Sequence, residues 1–105
     1  MTDAPACPLR TPPDLTSVEV VSLTGAADYR VALARANAEA ARRLAEPMLL
    51  SWYDRDRDFE APQHISECHQ DSAVPGYVDY ALARGARLKI DFDHGRFVFF
   101  YRDAA

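Results

Sequence analysis

Apolar residues recur along this chain with two periods, and each period predicts an element. In Arg87–Arg102, RLKIDFDHGRFVFFYR, Leu88, Ile90 and Phe92 alternate with Arg87, Lys89 and Asp91. That period of two predicts a strand, and the Phe-rich run after Gly95 predicts its hairpin partner. A two-residue turn at His94-Gly95 sets Phe92 opposite Phe97, Ile90 opposite Phe99 and Leu88 opposite Tyr101, with all the large apolar residues on one face. A three-residue loop would slip the register and put Phe92 opposite Arg96. Val98 and Phe100 fall on the other face, so this strand is expected to be covered there too, by the N-terminal tail or by a second subunit.

Upstream, Ser17–Thr24 is rich in β-branched residues and predicts a strand. Val18 and Val20 point one way, Val21 and Leu23 the other, as in an inner strand or one covered on both sides. Gly25 breaks it, and Asp28 is placed to cap a helix. From Tyr29 to Glu46 the residues Tyr29, Leu33, Ala36, Ala40 and Leu44 recur at three- and four-residue steps, and Pro47 stops the helix. Glu39 can pair with Arg42 or Arg43 one turn on. Met48–Tyr53 predicts a short strand or a buried entry to the next segment. Pro62 and Pro75 can each open a helix, over Pro62–Gln70 and Pro75–Arg84. The second of these buries Val78, Ala81 and Leu82 and ends at Gly85. The sum is an α+β fold: a single two-layer domain, a mostly antiparallel sheet of three or four strands, helices on one face and a C-terminal β-hairpin. Residues 1–14, with Pro5, Pro8, Pro12 and Pro13, predict a flexible Pro-rich tail ahead of a domain over 15–105.

A length of 105 residues suits one core. The net charge of −4 lacks the basic footprint of a phosphate-backbone binder, so no nucleic-acid partner is expected. No apolar run approaches the roughly 20 residues of a membrane span, and the first residues carry no basic and apolar leader pattern. No membrane partner follows, and a cytoplasmic location with both thiols (Cys7 and Cys68) free is the expectation.

Chemistry-bearing side chains bunch in Ser51–Asp71, SWYDRDRDFEAPQHISECHQD. The Asp54, Asp56, Asp58 spacing resembles the start of a calcium loop, but Phe59 and Ile65 stand where such a loop needs Gly and Glu. If the segment is helical, His64, Cys68 and Asp71 share a face at steps of four and three, with Glu67 at its margin. His69 lies about 140° away from His64 and joins them only if the segment is irregular. Imidazole, thiolate and carboxylate are ligands for a divalent transition metal such as zinc, so His64, Cys68, His69 and Asp71 are the candidate metal set. Alternatively Cys68 is a reactive thiol, with His64 or His69 as ligand or general base; Glu67 and Asp71 oppose thiolate formation. The bland alternative is that Cys68 is a small buried hydrophobe and the histidines make structural hydrogen bonds. Trp52, Tyr53 and Phe59 could wall a pocket or belong to the core.

Taken together, the motifs at Trp52–Asp54, Pro62–His64, Ser66–His69, Pro75–Ala81 and Gly95–Phe100 resemble a small prokaryotic family known only as a domain of unknown function. The resemblance implies no activity. It directs attention to polar residues a fold alone would not require: Asp54, His64, Glu67, Cys68, His69, Asp79 and Arg96, the last a candidate anion contact. Two functions follow. One is a small protein with a His/Cys site that binds a metal ion or uses Cys68 as a reactive thiol, its partner a metal or small-molecule ligand. The other is a non-catalytic homodimer or accessory module using the Phe-rich last strand and residues 51–71 as its interface.

Overall fold

The computed structural model describes residues 17–62 and 76–105. Among them are five strands and two helices in the order β1 (Glu19–Leu23), α1 (Tyr29–Arg43), β2 (Pro47–Asp54), β3 (Phe59–Ala61), α2 (Gly76–Ala83), β4 (Leu88–Phe92) and β5 (Phe97–Asp103). The strands form one mixed sheet, β1-β4-β5-β2-β3, parallel between β1 and β4 and antiparallel elsewhere. The class is α+β, as expected. The sheet has one strand beyond the upper end of the expected range, because β3 pairs its three residues with the end of β2.

The β4–β5 hairpin keeps the expected register: Phe92 opposite Phe97, Ile90 opposite Phe99, Leu88 opposite Tyr101. Its loop is four residues long rather than two, and an even loop preserves the facing. Asp93, His94 and Gly95 are all left-handed, at φ of 51, 57 and 91°. The Asp91 carboxylate accepts the Gly95 N–H at 2.6 Å, and Arg96 N–H donates to the Phe92 carbonyl at 2.9 Å. These two bonds satisfy backbone groups the tight turn would otherwise orphan.

Asp28 caps α1 by accepting the Val31 N–H at 3.0 Å. Ala32, Ala36 and Ala40 are fully buried, so small side chains let the helix close on the sheet. Glu39 pairs with both Arg42 and Arg43. The helix ends at Arg43, with Leu44 extended, and Pro47 opens β2 instead of stopping the helix. The intervening corner is fixed from the C-terminus: the Asp103 carboxylate accepts the N–H groups of Ala45 and Glu46. At the end of α2, Gly85 is left-handed at φ 85°; Ala86 N–H donates to the Ala81 carbonyl and Gly85 N–H to that of Leu82. That pair of bonds is a Schellman stop, the role expected of Gly85.

Three expectations about the layers are corrected. The helices do not share a face. Alternate residues of β5 point opposite ways, so Phe97, Phe99 and Tyr101 join the cluster under α1, while Val98 and Phe100 join Tyr77 and Ala81 of α2. The molecule is therefore helix, sheet, helix, with β5 inside it. Among the described residues, Phe100 is buried against α2 of its own chain, and this cover on its second face takes β5 out of the expected interface. Likewise β1 is an edge strand and not an inner one: Val20 is 50% exposed.

Candidate functional site

The first part of the Ser51–Asp71 stretch is β2, a tight turn and β3, and its acidic and basic residues are distributed among separate structural tasks. Asp54, fully buried at the end of β2, accepts from Arg57 Nε at 2.6 Å and more weakly from its N–H at 3.3 Å. The Arg57 guanidinium then lies over the rings of Tyr29 and Phe59, at 5.3 and 5.6 Å from their centroids. Asp58, left-handed at φ 48°, accepts the Tyr53 hydroxyl at 2.9 Å. Asp56 reaches across to the other hairpin, accepting from Arg96 Nε at 2.9 Å and Nη2 at 2.6 Å.

Arg96 ties three segments at this end of the sheet. Besides Asp56, it donates to the carbonyls of Ala26 (2.9 Å) and Ala27 (3.3 Å) in the connection before α1. Asp93, beside it, accepts the Gly25 N–H of the same connection at 3.1 Å. The hydrogen bonds from Arg96 hold the Asp56 carboxyl below the usual aspartate range, and Asp56 in turn raises Arg96. Arg96 is thus a clamp between loops and not an anion contact: its donors are committed to carbonyls and to Asp56. The three aspartates diverge onto different partners and do not converge on a cation. His94 is exposed at the tip of its turn.

The aromatic residues separate in the same way. Trp52 lies on the α1 face, 4.7 Å from Tyr29 and 5.2 Å from Phe59 between ring centroids. Tyr53, the next residue along β2, lies on the α2 face and stacks on Tyr77 at 5.3 Å. Trp52 and Phe59 therefore share no pocket with Tyr53.

On the α2 face, three contacts fix the start of α2. The buried Ser51 hydroxyl donates to the Tyr77 carbonyl at 2.7 Å, beside a bulge in β2. The Glu60 carboxylate of β3 accepts the Tyr77 N–H at 3.1 Å, satisfying an amide at the helix N-terminus with a negative charge. The Tyr77 ring then stacks on Tyr53. Burial, reinforced by Tyr53, Asp91 and Glu60, pushes the Tyr77 phenol up to about 12. Ser51, Glu60 and Tyr77 were not singled out by sequence, which carries no local signal for them: their partners lie 17 and 26 positions apart. The consequence is a closed base. β3 and α2 are joined by residues 62–75, and either side of that connection the Tyr77 N–H donates to the Glu60 carboxylate.

The candidate residues His64, Glu67, Cys68, His69 and Asp71 belong to that connection and lie outside the described residues, as does most of the helix expected over Pro62–Gln70. Asp79 is in the first turn of α2, half-buried. Among the described residues, no group of three or more His, Cys, Asp or Glu side chains is placed to hold a metal ion, and no helix is long and apolar enough to cross a membrane.

A family model described as a domain of unknown function (DUF5619) matches residues 15–101. Among solved structures, the crystal structure of the protein AF1514 from Archeoglobus fulgidus is similar to this chain with a TM-score of 0.65. The match is 24% identical and covers 84% of this chain and 96% of that one. At that identity the likeness is one of fold. No curated protein matches the chain.

Proposed function

The chain belongs to the family of this domain of unknown function, DUF5619, and because membership supplies a fold without a chemistry, we propose from its residues that it is a small cytoplasmic protein with a His/Cys site between β3 and α2. His64, Cys68 and His69, with Asp71 as a further oxygen donor, bind a divalent transition metal such as zinc. One observation carries this reading. The Glu60–Tyr77 hydrogen bond joins the two ends of the connection that contains these four residues. Closing a loop costs entropy, and a base already closed by the fold lowers that cost for any set of ligands drawn from within it. Neutral imidazole and thiolate are the donors zinc prefers, and binding releases the thiol proton.

The test is the metal content of tag-free protein purified without chelator, measured beside Cys68→Ser. Near-stoichiometric metal in the parent and its loss in Cys68→Ser is the expected result. A parent that stays metal-free after incubation with excess zinc would overturn the metal site. Cys68 would then be tested as a reactive thiol by titrating its thiolate, with His64 or His69 as base.

A second reading, an interaction module, is favoured by a specific feature of the sheet. In the parallel β1–β4 register, Glu19, Val21 and Leu23 bond toward β4, which turns the amides of Val20 and Ser22 to the outer edge. An edge of this kind, with Val20 half exposed, accepts an added strand from a second copy or another protein. Sedimentation of the parent and of Val20→Lys checks it: a dimer that Val20→Lys dissociates supports this reading, and a parent monomeric at high concentration removes its homodimeric form.

A further inference from the structure

We draw no further inference here: the strongest candidate, the exposed stripe of Val31, Ala34, Ala38 and Ala41 on the outer face of α1, is an unpartnered small-residue surface, and nothing in the structure shows what covers it.

Discussion

The two faces of the sheet are closed by different physics. Under α1 the cover is almost wholly apolar: Leu88, Ile90, Phe92, Phe97, Phe99 and Tyr101 meet a row of buried alanines, and Phe99 contacts the rings of Tyr29 and Phe92. A polar tip there, the Tyr101 hydroxyl, donates to Asn37 Oδ1 at 2.5 Å. Under α2 the apolar cluster is smaller, Tyr77, Ala81, Ala86, Val98 and Phe100. It is supplemented by Ser51 and Glu60, which bond to the carbonyl and the N–H of Tyr77 respectively. A long helix can be held by burial alone, because its area is large and the hydrophobic effect is non-directional. A helix of eight residues offers less area, so its position depends on directional bonds.

The largest effect expected from any change at this divide is that of Phe100→Asp. Phe100 has no exposed surface, and a carboxylate in its place has no cationic partner among the residues of its cluster. Burying an unpaired charge costs several kcal/mol, comparable with the whole stability of a small domain. Circular dichroism should show an unfolded chain at 25 °C. A folded Phe100→Asp monomer would mean that α2 does not cover β5.

Next comes the apolar face itself. Phe99→Ala should destabilise by about 3–5 kcal/mol, the range for a fully buried Phe, read as a fall in the urea midpoint at constant slope. Ser51→Ala breaks a single buried hydrogen bond and leaves the Tyr77 carbonyl without that donor, which costs about 1–3 kcal/mol. The sharper readout is local. Amide exchange in α2 should quicken in Ser51→Ala, while α1 stays protected. Equal acceleration in both helices would erase the distinction between the faces.

Local pattern was enough wherever an element's partner is its chain neighbour. The hairpin register is legible because Leu88, Ile90 and Phe92 and their partners lie within fourteen residues, Leu88 to Tyr101, of one another. Asp28 and Gly85 are legible because caps are made by adjacent residues. Pairings across the chain left no such trace. Val20 stands beside Lys89 only because two crossing connections bring β1 to β4, so the apolar residues on both sides of β1 look like those of an inner strand. Val98 and Phe100 signalled a covered second face, but nothing nearby in sequence names α2 as the cover. β3 is three residues long, too short for alternation to register. At the candidate site the sequence identified a stretch rich in functional groups, and its first half became structural. Arg57 pairs with Asp54 three residues away, which the alternating Asp and Arg permits without specifying, whereas Asp56 is paired by Arg96 from forty positions on, with no local trace.

The subtlest expected difference between the faces appears only at high pH. Tyr77 and Tyr101 are both buried phenols with raised pKa, but by different means. For Tyr101 burial dominates, with a smaller contribution from Tyr29. For Tyr77 burial is followed by Tyr53 and then by the carboxylates of Asp91 and Glu60, and the value reaches about 12 against an ordinary 10.0. A folded pKa above the unfolded one means that the folded state holds its proton longer. The stabilisation is complete below pH 10 and is lost as pH rises through 12, because the unfolded chain releases the proton first. Melting temperature should therefore be flat through neutral pH and fall between pH 10 and 12. In Tyr77→Phe the fall should be shallower, since one of the phenols resisting ionisation is gone. High salt should also soften the parent's fall if the Asp91 and Glu60 charges contribute at Tyr77, because screening weakens them and leaves burial untouched. A parent and a Tyr77→Phe variant with superimposable alkaline profiles would show that the phenol on the α2 face ionises as freely as one in water, and that this face is open to solvent.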